Sequence, residues 1–232
     1  MESIESTGTK LRWTNGRLLA VGELALIAAI FVADAYHLIP LSKTPFLLAV
    51  GWLSLRLRGL RWRDVGLSPV RNWSMTLALG VAVGVGMELL DLFVTKPLEV
   101  RFLGRPPDLS EFRPLVGNLK LALLGWAFSW TLAAFGEELV WRGYLLNRVA
   151  GLFRETRAGW VVSLVLVSAA FGYAHVNQGF VGVLQEGFAG LLLGLVYVAC
   201  GRSLWVPIVA HGVTDSIDIL LIFAGRYPGL SR

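Results

Sequence analysis

The chain has 232 residues, 55% of them hydrophobic and only 16% charged, with a mean hydropathy of +0.64. A soluble domain of average make-up is about 45–50% apolar and about 25% charged, so the composition excludes that class and supports an integral membrane protein. The net charge of +5 comes almost wholly from arginines in short connections, which fits orientation in a bilayer rather than nucleic-acid binding. A single cysteine, Cys200, excludes an intrachain disulfide and a thiolate metal cluster.

Spanning a bilayer takes about 20 mostly apolar residues. Residues 18–38 qualify, preceded by Lys10, Arg12 and Arg17 and stopped by Pro40. Ala33 and Ala35 have the spacing of a signal-peptidase site, but Asp34 lies between them, and the reading is an uncleaved first span. Residues 44–57 form a shorter apolar segment whose end is basic, through Arg56, Arg58, Arg61, Arg63 and Arg71. Residues 73–94 make a third span, with Gly80 and Gly84 one turn apart, a spacing that lets another helix approach closely.

Residues 95–117 read as a polar connection with four basic and three acidic residues. Residues 118–153 are helical for too long: 36 residues would cover roughly 54 Å against a hydrocarbon core of about 30 Å. This helix is expected to tilt, break near Gly136 or Gly143, or run out along the surface. Residues 160–175, 180–199 and 204–223 complete the map, with Gly190 and Gly194 again one turn apart.

The fold class is thus all-α, a polytopic transmembrane bundle of six to eight spans around a central polar cavity. Residues 1–17 form an N-terminal segment on the cytoplasmic side, 18–223 one bundle, and 224–232 a tail. The arginines of 56–71 share a side with Arg148, Arg154, Arg157 and Arg202, and that side is expected to be cytoplasmic. Seven spans would leave the C-terminal tail outside.

Polar groups inside apolar segments carry the functional signal, because a charge at mid-bilayer costs at least about 2.5–3.5 kcal/mol. Glu138 and Arg142 are four apart, so they pair on one helix face with the acid N-terminal to the base. Glu137 points about 100° away and is left unpaired, as a general base or acid requires. Taken alone, the two glutamates equally fit a helix leaving the membrane. His175 follows Phe171 by four residues, and His211 precedes Asp215 by four, so a carboxylate can orient that imidazole. Each also has a plainer reading, an interfacial histidine and a polar pair linking two spans. His37, beside Pro40, reads as interfacial. Glu23, Asp34, Glu88, Asp91, Glu186 and Asp218 fall in or near spans as well, where local hydrogen bonding is the default. Glu88 with Asp91, and Glu186 with Gln185, are candidates to face the cavity.

In order, Glu-Glu-x-x-x-Arg (Glu137, Glu138, Arg142), Phe-x-x-x-His (Phe171, His175) and His-x-x-x-Asn/Asp (His211, Asp215) resemble the three motifs of the CAAX protease and bacteriocin-processing family, intramembrane endopeptidases also called the Abi family. The likeness covers residues 119–223. It implies an eight-helix-like bundle and peptide-bond hydrolysis, with Glu137 and His175 activating a water and Glu138 and Arg142 bracing their helix. His211 would stabilise the oxyanion, with Asp215 where other members have Asn. An ionised aspartate cannot donate to an oxyanion, so Asp215 is expected to hold His211 or to be protonated.

No cofactor is expected. A zinc-dependent variant would use Glu137, His175 and His211, although the compact His-Glu-x-x-His spacing is lacking. The expected partners are a peptide or protein tail and the lipid bilayer, with no nucleic acid, at the cell membrane. Two other readings use the same residues: a non-catalytic scaffold of this fold, and a proton- or ion-coupled transporter, which would call for inverted repeats that the sequence lacks.

Overall fold

The computed structural model describes residues 17–36, 38–40 and 42–230, so the readings of Lys10, Arg12 and His37 lie outside the described residues. Those residues are all-helical, without a strand. We number the rods α1 (Arg17–Ala35), α2 (Thr44–Leu57), α3 (Trp73–Leu103), α4 (Leu119–Leu152), α5 (Arg157–Tyr173), α6 (Val176–Ala199) and α7 (Trp205–Phe223). Four of them, α3, α4, α6 and α7, are long and apolar enough to cross a membrane, while α2 and α5 are shorter at 14 and 17 residues.

The helix starts follow local chemistry. Asn72 and Asn118 accept hydrogen bonds from the backbone N–H groups of Met75 and Leu121, and the Thr156 hydroxyl accepts from Gly159. Each satisfies one of the donors left free in a first turn. The sequence pattern ended the third span at 94, but α3 runs on to Leu103. Pro97 inside it has no N–H to give, and the backbone widens to a π-helix over Asp91–Thr95 just before it. The polar connection is shorter than expected for that reason.

α4 is the overlong helix, and it neither stops at Gly136 nor at Gly143. It continues for 34 residues by widening, as π-helix over Ser129–Glu137 and Leu139–Leu146. The two glycines serve packing instead: a Cβ on Gly136 would meet Thr44 at 2.9 Å, and one on Gly143 would meet Leu204 at 3.2 Å. The glycine pairs act as anticipated. Gly80 and Gly84 admit Val209 and Val213 of α7, and Gly190 and Gly194 admit Phe171 and Leu164 of α5.

Consecutive helices alternate in direction between two ends. At one end the Leu204 N–H donates to Gly66 and the Tyr197 hydroxyl to Val65, while Arg202 pairs with Glu155 and stacks over Trp160. The basic connections therefore do meet on one side. Glu23 closes that end as shared acceptor for Arg58 and Arg148. At the other end Asp108 N–H donates to Gln178, Gly117 N–H to Phe223, and Lys43 to Asp34 and to the Ala174 carbonyl. Leu47, Leu55, Val140, Trp141, Tyr144, Tyr197 and Leu204 are buried between. Leu77, Leu123, Val165 and Leu195 face outward, as lipid contact requires.

Candidate active site

The side chains singled out in the sequence converge on a cavity of about 470 Å³ between α4, α5, α6 and α7, lined by Glu137, His175, His211 and Asp215 and by Phe171. Its walls continue into Lys43, Glu111, Phe112 and Asn177, so it opens toward the end opposite the arginine-rich connections. By hydropathy boundaries alone, Glu137 falls nearer the inner end of its span and His175 near the outer end of the next, at different depths. The widened turns of α4 and the start of α5 at Arg157 bring both onto the same wall. Wide turns of this kind recur at functional sites, where they re-aim side chains.

Glu138 is fully buried, and its Oε1 accepts from Arg142 Nη1 at 2.6 Å. The second Arg142 nitrogen donates to the Gly190 carbonyl at 3.0 Å, and the guanidinium lies 4.8 Å from the Phe171 ring. The same Glu138 oxygen takes a 2.9 Å hydrogen bond from His211 Nδ1. Asp215, expected to orient this imidazole, is farther from it, with Oδ1 at 3.6 Å from Nε2. It accepts instead from the Ser129 hydroxyl at 2.6 Å. Glu138 thus does more than brace its helix: it carries the histidine of another helix.

His175 is fixed in a second way. Its Nδ1 lies 2.9 Å from the Phe171 carbonyl, an acceptor only, so Nδ1 carries the proton and Nε2 is left for the cavity. The rings of Phe171 and His175 are 4.9 Å apart, and Trp141 meets Phe171 edge-on at 5.3 Å. Phe171 therefore ties Arg142 to His175.

Glu137 contrasts with its neighbour. It is half-buried, and among the described residues its one hydrogen bond comes from the Thr44 hydroxyl at 3.5 Å. A carboxylate so loosely held has lone pairs available for a water. Thr44, Ser129 and Lys43 had no signal in the sequence, since they sit far from their partners along the chain. Trp126 and Trp130 were equally silent; both donate to the Ser216 hydroxyl and wall the α4–α7 seam.

Among the described residues no three of His, Cys, Asp and Glu are grouped closely enough to hold a metal ion. Glu137, His175 and His211 line one space without forming such a group, and the Nδ1 atom of each histidine is already engaged.

Residues 119–217 match the family model described as Type II CAAX prenyl endopeptidase Rce1-like. All three motifs lie inside that stretch. No curated protein and no solved structure matches the chain.

Proposed function

From the match of residues 119–217 to the Rce1-like family model, we propose that this membrane protein is an intramembrane endopeptidase that hydrolyses a peptide bond with a water activated by Glu137 and His175. The observation that carries this reading is the gathering of four ionisable side chains, from α4, α7 and the turn that follows α5, around one cavity. Groups at that depth are costly unless they are used.

The chemistry follows from the hydrogen bonds. Glu137 takes a proton from a water held between its carboxylate and His175 Nε2, and the hydroxide attacks the scissile carbonyl. As an imidazolium with the Glu138 carboxylate on Nδ1, His211 donates its Nε2–H to the oxyanion that forms. Asp215, held by Ser129, stands beside Nε2 as counter-ion. The proton on Glu137 then passes to the leaving amine. No step calls for a metal.

Digestion of a peptide library by the full chain in detergent tests this. The expected outcome is cleavage by the wild type that EDTA leaves unchanged and that falls about 10²–10⁴-fold in Glu137→Ala or His175→Ala. Full-rate cleavage by both variants would overturn the proposal, and loss of activity in EDTA would favour the set Glu137, His175 and His211 as metal ligands.

We also propose that all seven rods cross the membrane, with the arginine-rich end cytoplasmic and the cavity mouth facing away from the cytoplasm. Cysteines introduced singly at Arg61 and at Asn177 in a Cys200→Ser background test it: an impermeant maleimide on intact cells should label the second and spare the first.

A further inference from the structure

The reaction above leaves one group of buried polar side chains unused. Beside the main cavity lies a smaller one of about 80 Å³, which it meets at His211, Asp215 and Asp218. Its polar wall carries Glu88 and Asp91 of α3, Glu186 of α6 and Asp218 of α7. Its other walls are Met87, Leu90, Phe188 and Leu192.

The charges here are unequally matched. Asp91 is satisfied three times over, by the Thr95 hydroxyl, by Lys96 and by the Gln185 amide at 3.1 Å. Lys96, the buried ammonium of the group, pairs with Asp91, sits 4.8 Å from the Tyr227 ring, and its charge also acts on Asp218 and Glu88. Glu88 is 1% exposed, and among the described residues no N–H or hydroxyl reaches either of its oxygens. What faces it is the Asp218 carboxyl, whose Oδ1 also has no donor. Two facing carboxyls that share one proton still carry one negative charge. At membrane depth such charge needs counter-ions, and the lining is short of them: Lys96 is one ammonium beside the four carboxyls Glu88, Asp91, Glu186 and Asp218, His211 is hydrogen-bonded to Glu138, and the Tyr227 phenol beside Asp218 is neutral.

An ammonium or guanidinium on an aliphatic stem complements this lining on both counts. We propose that the side cavity is a specificity subsite for a lysine or arginine side chain of the peptide substrate, with Glu88 and Asp218 receiving the charged head and Met87, Leu90, Phe188 and Leu192 flanking the stem. The subsite rests on the endopeptidase reading for its purpose but not for its chemistry. Both cavities share His211 and Asp215, so a side chain seated here belongs to a residue next to the scissile bond or one removed from it. The family match ends at residue 217 and includes neither Glu88 nor Asp218.

Two measurements test it. In the first, n-pentylammonium is titrated into the full-length Glu137→Ala protein in detergent, with 1-pentanol as neutral control. Saturable binding of the amine alone is expected, weakened about tenfold or more by Glu88→Gln or Asp218→Asn. Ala189→Leu, which fills the cavity without removing a carboxyl, should weaken it too. No saturable amine binding, or binding that survives all three substitutions, would overturn the subsite. In the second, the peptide library is scored by position. The wild type should favour Lys or Arg over norleucine and citrulline at one fixed position by about tenfold, and Glu88→Gln should flatten that ratio. An unchanged ratio also defeats the proposal, whereas amine binding without any cleavage would leave the subsite standing and defeat the peptidase reading.

Discussion

The two ends of this bundle treat buried charge in opposite ways. At the arginine-rich end, Glu23 meets two guanidiniums at once, Arg58 at 2.5 Å and Arg148 at 3.1 Å, and the Asn147 amide nitrogen lies within 3.0 Å of the Arg142 and Gly143 carbonyls and the Tyr197 hydroxyl. Around the two cavities, and among the described residues, Glu137 has one long hydrogen bond and Glu88 faces another carboxyl, that of Asp218. On the proposed function, the difference separates charge kept for shape from charge kept for chemistry. A matched group holds helices together and has nothing left to offer a ligand, while an unmatched one has lone pairs to spend.

Substitutions at the two ends should therefore fail in different assays. Glu137→Ala is expected to remove about 10²–10⁴-fold of peptidase rate while its thermal midpoint in detergent stays near the wild type. Glu23→Ala should do the reverse, lowering the midpoint with little change in rate per folded molecule. If both variants fell together in both assays, the division would not hold. Arg142 joins the two categories, since it neutralises a fully buried glutamate that also carries His211. Arg142→Leu should lose about 3–5 kcal/mol of stability, measurable by denaturant unfolding in mixed micelles, together with activity.

Smaller effects refine the same division. A Cβ on Gly84 would come within 2.8 Å of Val213 on the helix that holds His211 and Asp215. Gly84→Leu should cost about 1–3 kcal/mol by forcing α3 off α7, and a thermal melt would register it. Ser129→Ala removes one neutral donor from Asp215, worth about 1 kcal/mol, and should slow turnover roughly fivefold without moving the melt. A larger loss would mean that Asp215 takes part in proton transfer.

Local geometry was legible in the sequence and distant geometry was not. The i,i+4 rule paired Glu138 with Arg142 and left Glu137 free, and four-residue glycine spacing marked both close helix contacts. Those inferences use only the period of a helix. The hydrogen bond from His211 to Glu138 joins residues 73 apart, and that from Ser129 to Asp215 joins residues 86 apart. Nothing in the local pattern distinguishes Glu138 from Asp215 as the imidazole's partner. The nearer candidate along the chain, Asp215, was the natural choice, and packing of α4 against α7 reversed it. The widened turns of α4 were equally hidden, because 34 apolar-rich residues look alike whether a turn holds four of them or five. The hydropathy boundaries consequently misjudged the depth of Glu137, while motif order did not depend on depth.

The last described residues do not trail away from the bundle. Tyr227 and Leu230 are buried with Ile222 against Leu109, Phe112 and Leu115, and Tyr227 forms part of the cavity wall. On the proposed function, a purification handle fused shortly after Leu230 would start beside the mouth through which a peptide enters, where it would obstruct entry or be cut itself. Tagging the opposite terminus, or leaving a long cleavable spacer, is the safer practice for every assay described above.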